Sequence, residues 1–368
     1  MTSRNAGRIG MGEEGFTLLE LMIGTTIAVI ITAAAFTALT SSSKATRVND
    51  QTAQTQQNGR LAMELLSHDI KMAGYGMSGQ VGNCASAMVP ADNNVGGADT
   101  GPDSISMVIP TTTSSLAASV TGPFGTNTNP LKLVSASGFN PNSLISIGGV
   151  ISATVATQTG NNLTLGSTIA APVAFPAGTP VYLIQCVTYQ VMQAGGANTA
   201  AICGANVPCL ARGVSAPTLG GKIDCNGAGG AAACFVIAEG IEDLQLAYGC
   251  DGCNVAANGG IADLVIDDQG ALNNTFDATD FVSNSTWATS PMTPDAIRLV
   301  RINVVAREAQ NEQGFGEGTV RQANTPGPLL IEDHNPSAPG DPGYALSTYA
   351  QFRRRVITRT VEARNIGL

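Results

Sequence analysis

Along the chain, apolar and polar positions follow two regimes that meet near Gly74. From Phe16 to Leu39 the sequence FTLLELMIGTTIAVIITAAAFTAL holds a single charge, Glu20. At 1.5 Å per residue this stretch makes a helix of roughly 36 Å, enough to cross a hydrocarbon core of about 30 Å. The sequel, SSSKATRVNDQTAQTQQNGR, is polar but compatible with a helix. From Lys44 to Ala73 small and apolar residues (Val48, Ala62, Leu65, Leu66, Met72) recur at helical spacing, with no proline before Pro90. Gly74-Tyr75-Gly76 reads as the stop. The pattern predicts one helix over Phe16–Ala73, roughly 87 Å long. Gly59 is its interior weak point, worth up to about 1 kcal/mol relative to Ala and a place for bending.

After Gly74 the period becomes alternating. Strands are expected at Ser104–Ile109, Leu131–Val134, Leu144–Ile147, Val181–Val191, Phe235–Ile237, Leu244–Tyr248, Ala296–Ala306 and Phe352–Val361. Val300, Ile302 and Val304 alternate with Arg301 and Asn303, the mark of a sheet with one buried face. Gly-, Asn- and Pro-rich stretches (Asp92–Pro102, Thr121–Pro130, Glu308–Pro342) read as loops. The Thr-, Ser-, Ala- and Gly-rich Thr111–Pro180 reads as a small β lobe inserted in the sheet. The expectation is an α+β chain: a leader over 1–15, a helix over 16–73, and a β-rich head over 74–368 with an insert at 111–180.

Composition narrows the partners. Only 12% of residues are charged and the net charge is −9, so a general nucleic-acid surface, which needs clustered Lys and Arg, is excluded. Arg353, Arg354, Arg355 and Arg359 form a local basic run, but neighbours on a strand alternate between faces, so salt bridges to the acidic head are expected there rather than a continuous patch. No nucleotide-binding or hydrolytic motif stands out, and Gly220-Gly221-Lys222 lacks the rest of a P-loop. With only His68 and His334 available, a Ser-His-Asp arrangement is not expected, so no enzymatic activity, cofactor or metal is assigned. Asp263, Asp267, Asp268, Asp277 and Asp280 offer oxygen ligands of the kind Ca²⁺ takes, but their spacing fits no EF-hand, and a solvated acidic loop is the preferred reading.

Eight cysteines, Cys84, Cys186, Cys203, Cys209, Cys225, Cys234, Cys250 and Cys253, all lie in the head. Only Cys250-x-x-Cys253 has tight spacing, and no histidine accompanies it, so disulfides are favoured over zinc in an exported chain. Sequence proximity suggests Cys203–Cys209, Cys225–Cys234 and Cys250–Cys253, leaving Cys84–Cys186. This is one of many connectivities that eight cysteines allow.

Glu20 is the anomaly of the apolar segment. A carboxylate there costs about 2.5–3.5 kcal/mol on insertion scales and usually has a partner. Cleavage between Gly15 and Phe16 would supply one, a new α-amino group four residues away. Gly15-Phe16-Thr17-Leu18-Leu19-Glu20 followed by LMIGTTIAVI resembles the type IV prepilin signature, shared by pilins and type II secretion pseudopilins; the acidic pair Glu13-Glu14 beside the cut departs from the usual pattern. The resemblance implies a pilin-like fold, with cleavage by prepilin peptidase after Gly15, N-methylation of Phe16, and Glu20 as the carboxylate that pairs with an N-terminal amine during assembly.

Further stretches resemble PilW-type minor pilins: Arg60–Tyr75 (RLAMELLSHDIKMAGY), Ile241–Gly249 (IEDLQLAYG), Ile297–Ile302 (IRLVRI), and Arg353–Val356 running to Arg364-Asn365. The resemblance does not extend to roughly residues 90–180. It implies a low-copy subunit that helps to initiate or cap a type IV pilus. The implied partners are other minor and major pilins, the prepilin peptidase, the inner-membrane assembly platform and the membrane itself, through a single helix. The head would lie in the periplasm and later on the pilus surface. Two alternatives stand beside this reading: a J-type pseudopilin of type II secretion, and a pilus-tip module that binds through the insert.

Overall fold

Helix α1 spans Leu18–Met72. The computed structural model describes residues 15–77, 79–82, 84–92, 99, 101–192, 203, 207–214, 223, 234–270, 275–309, 329–335 and 352–366. The chain divides into two compact units, one ending at Ala53 and one beginning at Gln54. In the first unit the apolar residues from Leu18 to Leu39 are all exposed. In the second, α1 buries Ala62, Met63, Leu66 and Ile70, the i, i+3, i+4 stripe that a helix lays on a core.

Fourteen strands are described. They are β1 (Met88–Ala91), β2 (Ser104–Ser115), β3 (Val120–Thr121), β4 (Leu131–Lys132), β5 (Leu144–Ile147), β6 (Ile151–Thr159), β7 (Asn162–Leu165), β8 (Ala174–Phe175), β9 (Pro180–Met192), β10 (Cys209–Val214), β11 (Cys234–Glu239), β12 (Ile241–Cys250), β13 (Ile297–Arg307) and β14 (Arg354–Glu362). β9 organises the larger sheet. One edge pairs with β2, and the other pairs with β5 along Val181–Ile184 and with β10 along Val187–Met192. β12, β13 and β14 make a separate antiparallel sheet with β13 in the middle.

Both sheets and α1 share one core. Ile105, Met107, Tyr189 and Leu210 from the larger sheet meet Leu244, Val300, Ile302 and Val361 from the smaller one around Leu66 and Ile70. The insert has its own apolar cluster, Phe124, Leu131, Phe139, Ile145, Val155 and Leu163 among it. It is nonetheless joined to the main sheet, because β2 leads into it, β9 leads out of it and its β5 pairs with β9. β1, β3, β6, β7, β8 and β10 were not expected from the pattern.

Gly59 corrects the expectation of a weak point. The helix is continuous there and the residue is buried. A Cβ at this position would lie 2.5 Å from Ile357 Cδ1 and 3.4 Å from Ala306 Cβ. At this glycine α1 approaches the β13–β14 pair so closely that a Cβ would meet Ile357. Gly74 ends the helix with φ +81°, its N–H donating to the Val108 carbonyl at 2.8 Å, the left-handed geometry that glycine adopts without steric cost.

Candidate assembly site

The start of α1 is built as a capping box. Thr17 Oγ1 accepts from the Glu20 N–H at 3.2 Å, and the Glu20 carboxylate accepts from the Thr17 N–H and hydroxyl, both at 3.1 Å. This T-x-x-E pairing satisfies two amide donors that a helix otherwise leaves open. Sequence reasoning singled out Glu20 for its charge and missed Thr17, although the spacing itself is the signature. Phe16 is exposed ahead of the cap, and Gly15 opens the described chain. Leader residues 1–14 lie outside the described residues.

The threonines of the apolar stretch are prepared for an apolar solvent. Thr25 and Thr26 donate to the Met22 carbonyl, Thr32 to Ala28, Thr37 to Ala34 and Thr40 to Phe36, at 2.7–3.0 Å. Each hydroxyl proton is hidden in the helix's own backbone, which removes the cost of carrying it into hydrocarbon. α1 is long and apolar enough to cross a membrane.

Farther along, Asp69 fastens α1 to the larger sheet. Its buried carboxylate accepts from Tyr189 OH at 2.6 Å and from Arg212 Nε at 2.9 Å, with His68 Nδ1 at 3.1 Å. Burial, then the negative charge of Asp69, pushes the Tyr189 phenol up, so it stays a donor. Asn58 Nδ2 donates to the Glu239 carbonyl and Asn365 Nδ2 to the Lys71 carbonyl.

The arginine run divides between faces. Arg354 pairs with Glu242, which Arg307 also approaches at 3.5 Å. Arg355 and Arg359 share the parity of Ile357 and are exposed. Alternation therefore separates Arg354 from its neighbours but leaves these two on one face. On the outer face Arg301 forks onto Glu332 at 2.8 and 2.6 Å and stacks over Phe281.

The acidic loop is not simply solvated. Asp251 and Asp267 are buried and accept backbone N–H groups, from Asp263 and Leu264 in the first case and Asn254 in the second. Asp280 accepts from the Asp277 N–H at 2.6 Å, and Asp263 from Val265 at 3.0 Å. Arg298 Nε lies 3.6 Å from Asp251. The carboxylates hold the turns of a knob that exposes Val255, Ile261, Leu264 and Val265 beside Asp263. Leu264 sits at φ +70°, a conformation costing a residue with a Cβ roughly 1–2 kcal/mol.

Carboxylates converge elsewhere in the head. Oxygens of Asp92, Asp99 and Asp333 lie within 4.8 Å of one another. Among the described residues this is the group whose donors come close enough to share a hard cation. Burial holds the carboxyl of neighbouring Asp103 well above the usual range, a hydrogen bond from the Leu246 N–H opposes it, and the charges of Asp99, Asp92 and Asp333 add to it.

Three disulfides are described. Cys84–Cys186 ties the segment after α1 to β9, Cys203–Cys209 closes a short loop, and Cys250–Cys253 braces the base of the knob. Cys234 is also disulfide-bonded; Cys225, the partner expected for it, lies outside the described residues.

The model of the family described as Type IV Pilus-assembly protein W matches residues 198–365, slightly under half of the chain. The matched stretch includes β10–β14, the acidic knob and the three C-terminal motifs, and leaves out α1. The match supports a type IV pilus-associated protein. No curated protein and no solved structure shows a significant match to the chain.

Proposed function

We propose that this chain is a minor pilin, cut between Gly15 and Phe16 by a prepilin peptidase, methylated on Phe16, and assembled into a type IV pilus through Glu20. The observation that carries the reading is the construction of Phe16–Leu39. It is an apolar helix with its threonine hydroxyls turned onto its own carbonyls and one carboxylate, Glu20, at the fifth residue past the proposed cut. The family match at the other end of the chain supports a pilus setting. Before cleavage, Thr17 and its amide occupy the carboxylate. After cleavage a protonated amine at Phe16 offers a stronger, charged partner.

In this reading the apolar helix is stored in the inner membrane with the head in the periplasm, and packs against other subunits' helices as they are lifted out. Burial in lipid is exchanged for burial in the filament. The head, fastened by Asp69 and Gly59, travels as a rigid load.

Glutamine at the third helical position still completes a capping box, so Glu20→Gln separates the cap from the charge. Glu20→Gln is expected to insert and be processed but to fail to enter pili. Glu20→Ala is expected to fail likewise and to fray the first turn. Incorporation of Glu20→Gln at the wild-type level, with only Glu20→Ala defective, would reduce the residue to a helix cap. Mass spectrometry of the mature N-terminus tests the cut itself: a chain beginning at methylated Phe16 is expected, and intact Met1 would overturn the processing.

A further inference from the structure

The knob between Cys250 and Val265 turns Asp251 inward and leaves Val255, Ile261, Leu264 and Val265 exposed beside Asp263. Asp251 is buried and fixes the amides of Asp263 and Leu264, Asp263 caps Val265, and Asp267 caps Asn254. The Cys250–Cys253 disulfide closes the base. Val255 and Ile261 stand on either side of Gly259 and Gly260, and Leu264 is 90% exposed on a left-handed residue. Such a backbone persists only where its surroundings over-determine it, and it clusters at functional contacts.

The charge around these side chains selects the occupant. From Cys250 to Phe281 there are six aspartates and no Lys, Arg or His, and the arginines that pack against the segment are turned inward, Arg298 toward Asp251 and Arg301 onto Glu332 and the Ala278 carbonyl. Asp263 and Asp277 are exposed and Asp268 is half-buried. This field repels nucleic-acid phosphate and anionic lipid, whose recognition needs cations on the protein. We propose that the knob is a docking element for another envelope protein, whose surface offers an apolar hollow for Leu264 and Ile261 framed by Lys or Arg opposite Asp263 and Asp277. The proposal rests on the assembly reading only for the choice of cells, and it makes no use of Glu20.

The test places a photoreactive benzophenone amino acid at Leu264 of the full-length chain in cells that assemble pili, with Val150, 67% exposed on the insert, as the control site. Illumination is expected to give one adduct from Leu264 and none from Val150. Its partner peptide, identified by mass spectrometry, is expected to carry Lys or Arg beside apolar residues. Asp263→Asn with Asp277→Asn, which keep a side-chain oxygen for the Val265 and Thr279 N–H groups, should lower the adduct several-fold while thermal unfolding stays unchanged. Equal labelling from Val150, a partner peptide without cations, an adduct only with a second copy of this chain, or indifference to the loss of both charges would each overturn the proposal. An adduct that persists in a Glu20→Gln strain would uphold the knob even if the role of Glu20 failed.

Discussion

Gly59→Ala sets two known effects against each other at one atom. Alanine in a helix interior is worth about 1 kcal/mol over glycine. Here the new methyl would lie 2.5 Å from Ile357 Cδ1, and overpacking of this kind costs about 1–3 kcal/mol. The single variant is therefore expected to lose between zero and about 2 kcal/mol instead of gaining. Ile357→Val deletes the clashing methyl and by itself costs about 0.5–1.5 kcal/mol. In the double variant the clash is gone and the helix gain survives, because Ala306 Cβ at 3.4 Å is an ordinary contact. The two substitutions should thus couple favourably by at least about 1 kcal/mol, above the roughly 0.5 kcal/mol scatter of independent sites. Urea unfolding of the full-length protein in detergent, fitted for all four members of the cycle, reads the coupling. Additivity, or a stabilised single variant, would mean that the partly exposed Ile357 Cδ1 swings aside at little cost and that Gly59 is not required by packing.

Asp69→Ala removes the acceptor shared by the buried Tyr189 hydroxyl and the half-buried Arg212 guanidinium. A loss of about 1–3 kcal/mol is expected in the same assay, with Asp69→Asn milder. Asp103 carries a pH signature. Its carboxyl is raised in the folded state, so the native chain holds the proton to higher pH than the unfolded chain and stability falls as pH rises past about 4. Asp103→Asn keeps an acceptor for Leu246 and is expected to raise Tm at pH 7, with the gain shrinking toward pH 4. A loss that is equal at both pH values would mean that the carboxylate is ionised and compensated.

What the sequence revealed depended on how local the determining physics is. Helix α1 was legible to within two residues at its start and one at its end, because its apolar run, its stripe from Ala62 to Ile70 and its glycine stop are local. β9 and β13, rich in β-branched residues, and β12, with Leu244, Leu246 and Tyr248 at alternate positions, declared themselves the same way. β6, with the sequence ISATVATQT, did not: Ile151, Ala153 and Val155 alternate with Ser152 and Thr154, but the small alanine and the threonines make that alternation shallow, although Ala153 and Val155 are buried in the insert's core. The partners of Asp69 lie 120 and 143 residues away, and nothing near Asp69 announces them. Gly59 read as a flaw because propensity counts only the helix, whereas the deciding atom belongs to Ile357. The acidic loop read as solvated because composition cannot say which way a carboxylate turns.

The same division explains how one helix serves two solvents. From Thr17 to Thr40 the threonine hydroxyls donate to carbonyls of the helix itself or to Glu20, so the uncharged polar groups of the apolar stretch need no outside partner when it is buried in lipid or among other helices. From Gln54 onward the helix does the opposite: Asn58, Gly59 and Asp69 are each completed only by the head. A change to the first group should alter where the chain can go and leave the head's unfolding untouched. A change to the second should unfasten the head and leave insertion untouched. Within the apolar stretch Glu20 is the carboxylate that could exchange its cap for an outside partner, which is the property the proposed assembly role draws on.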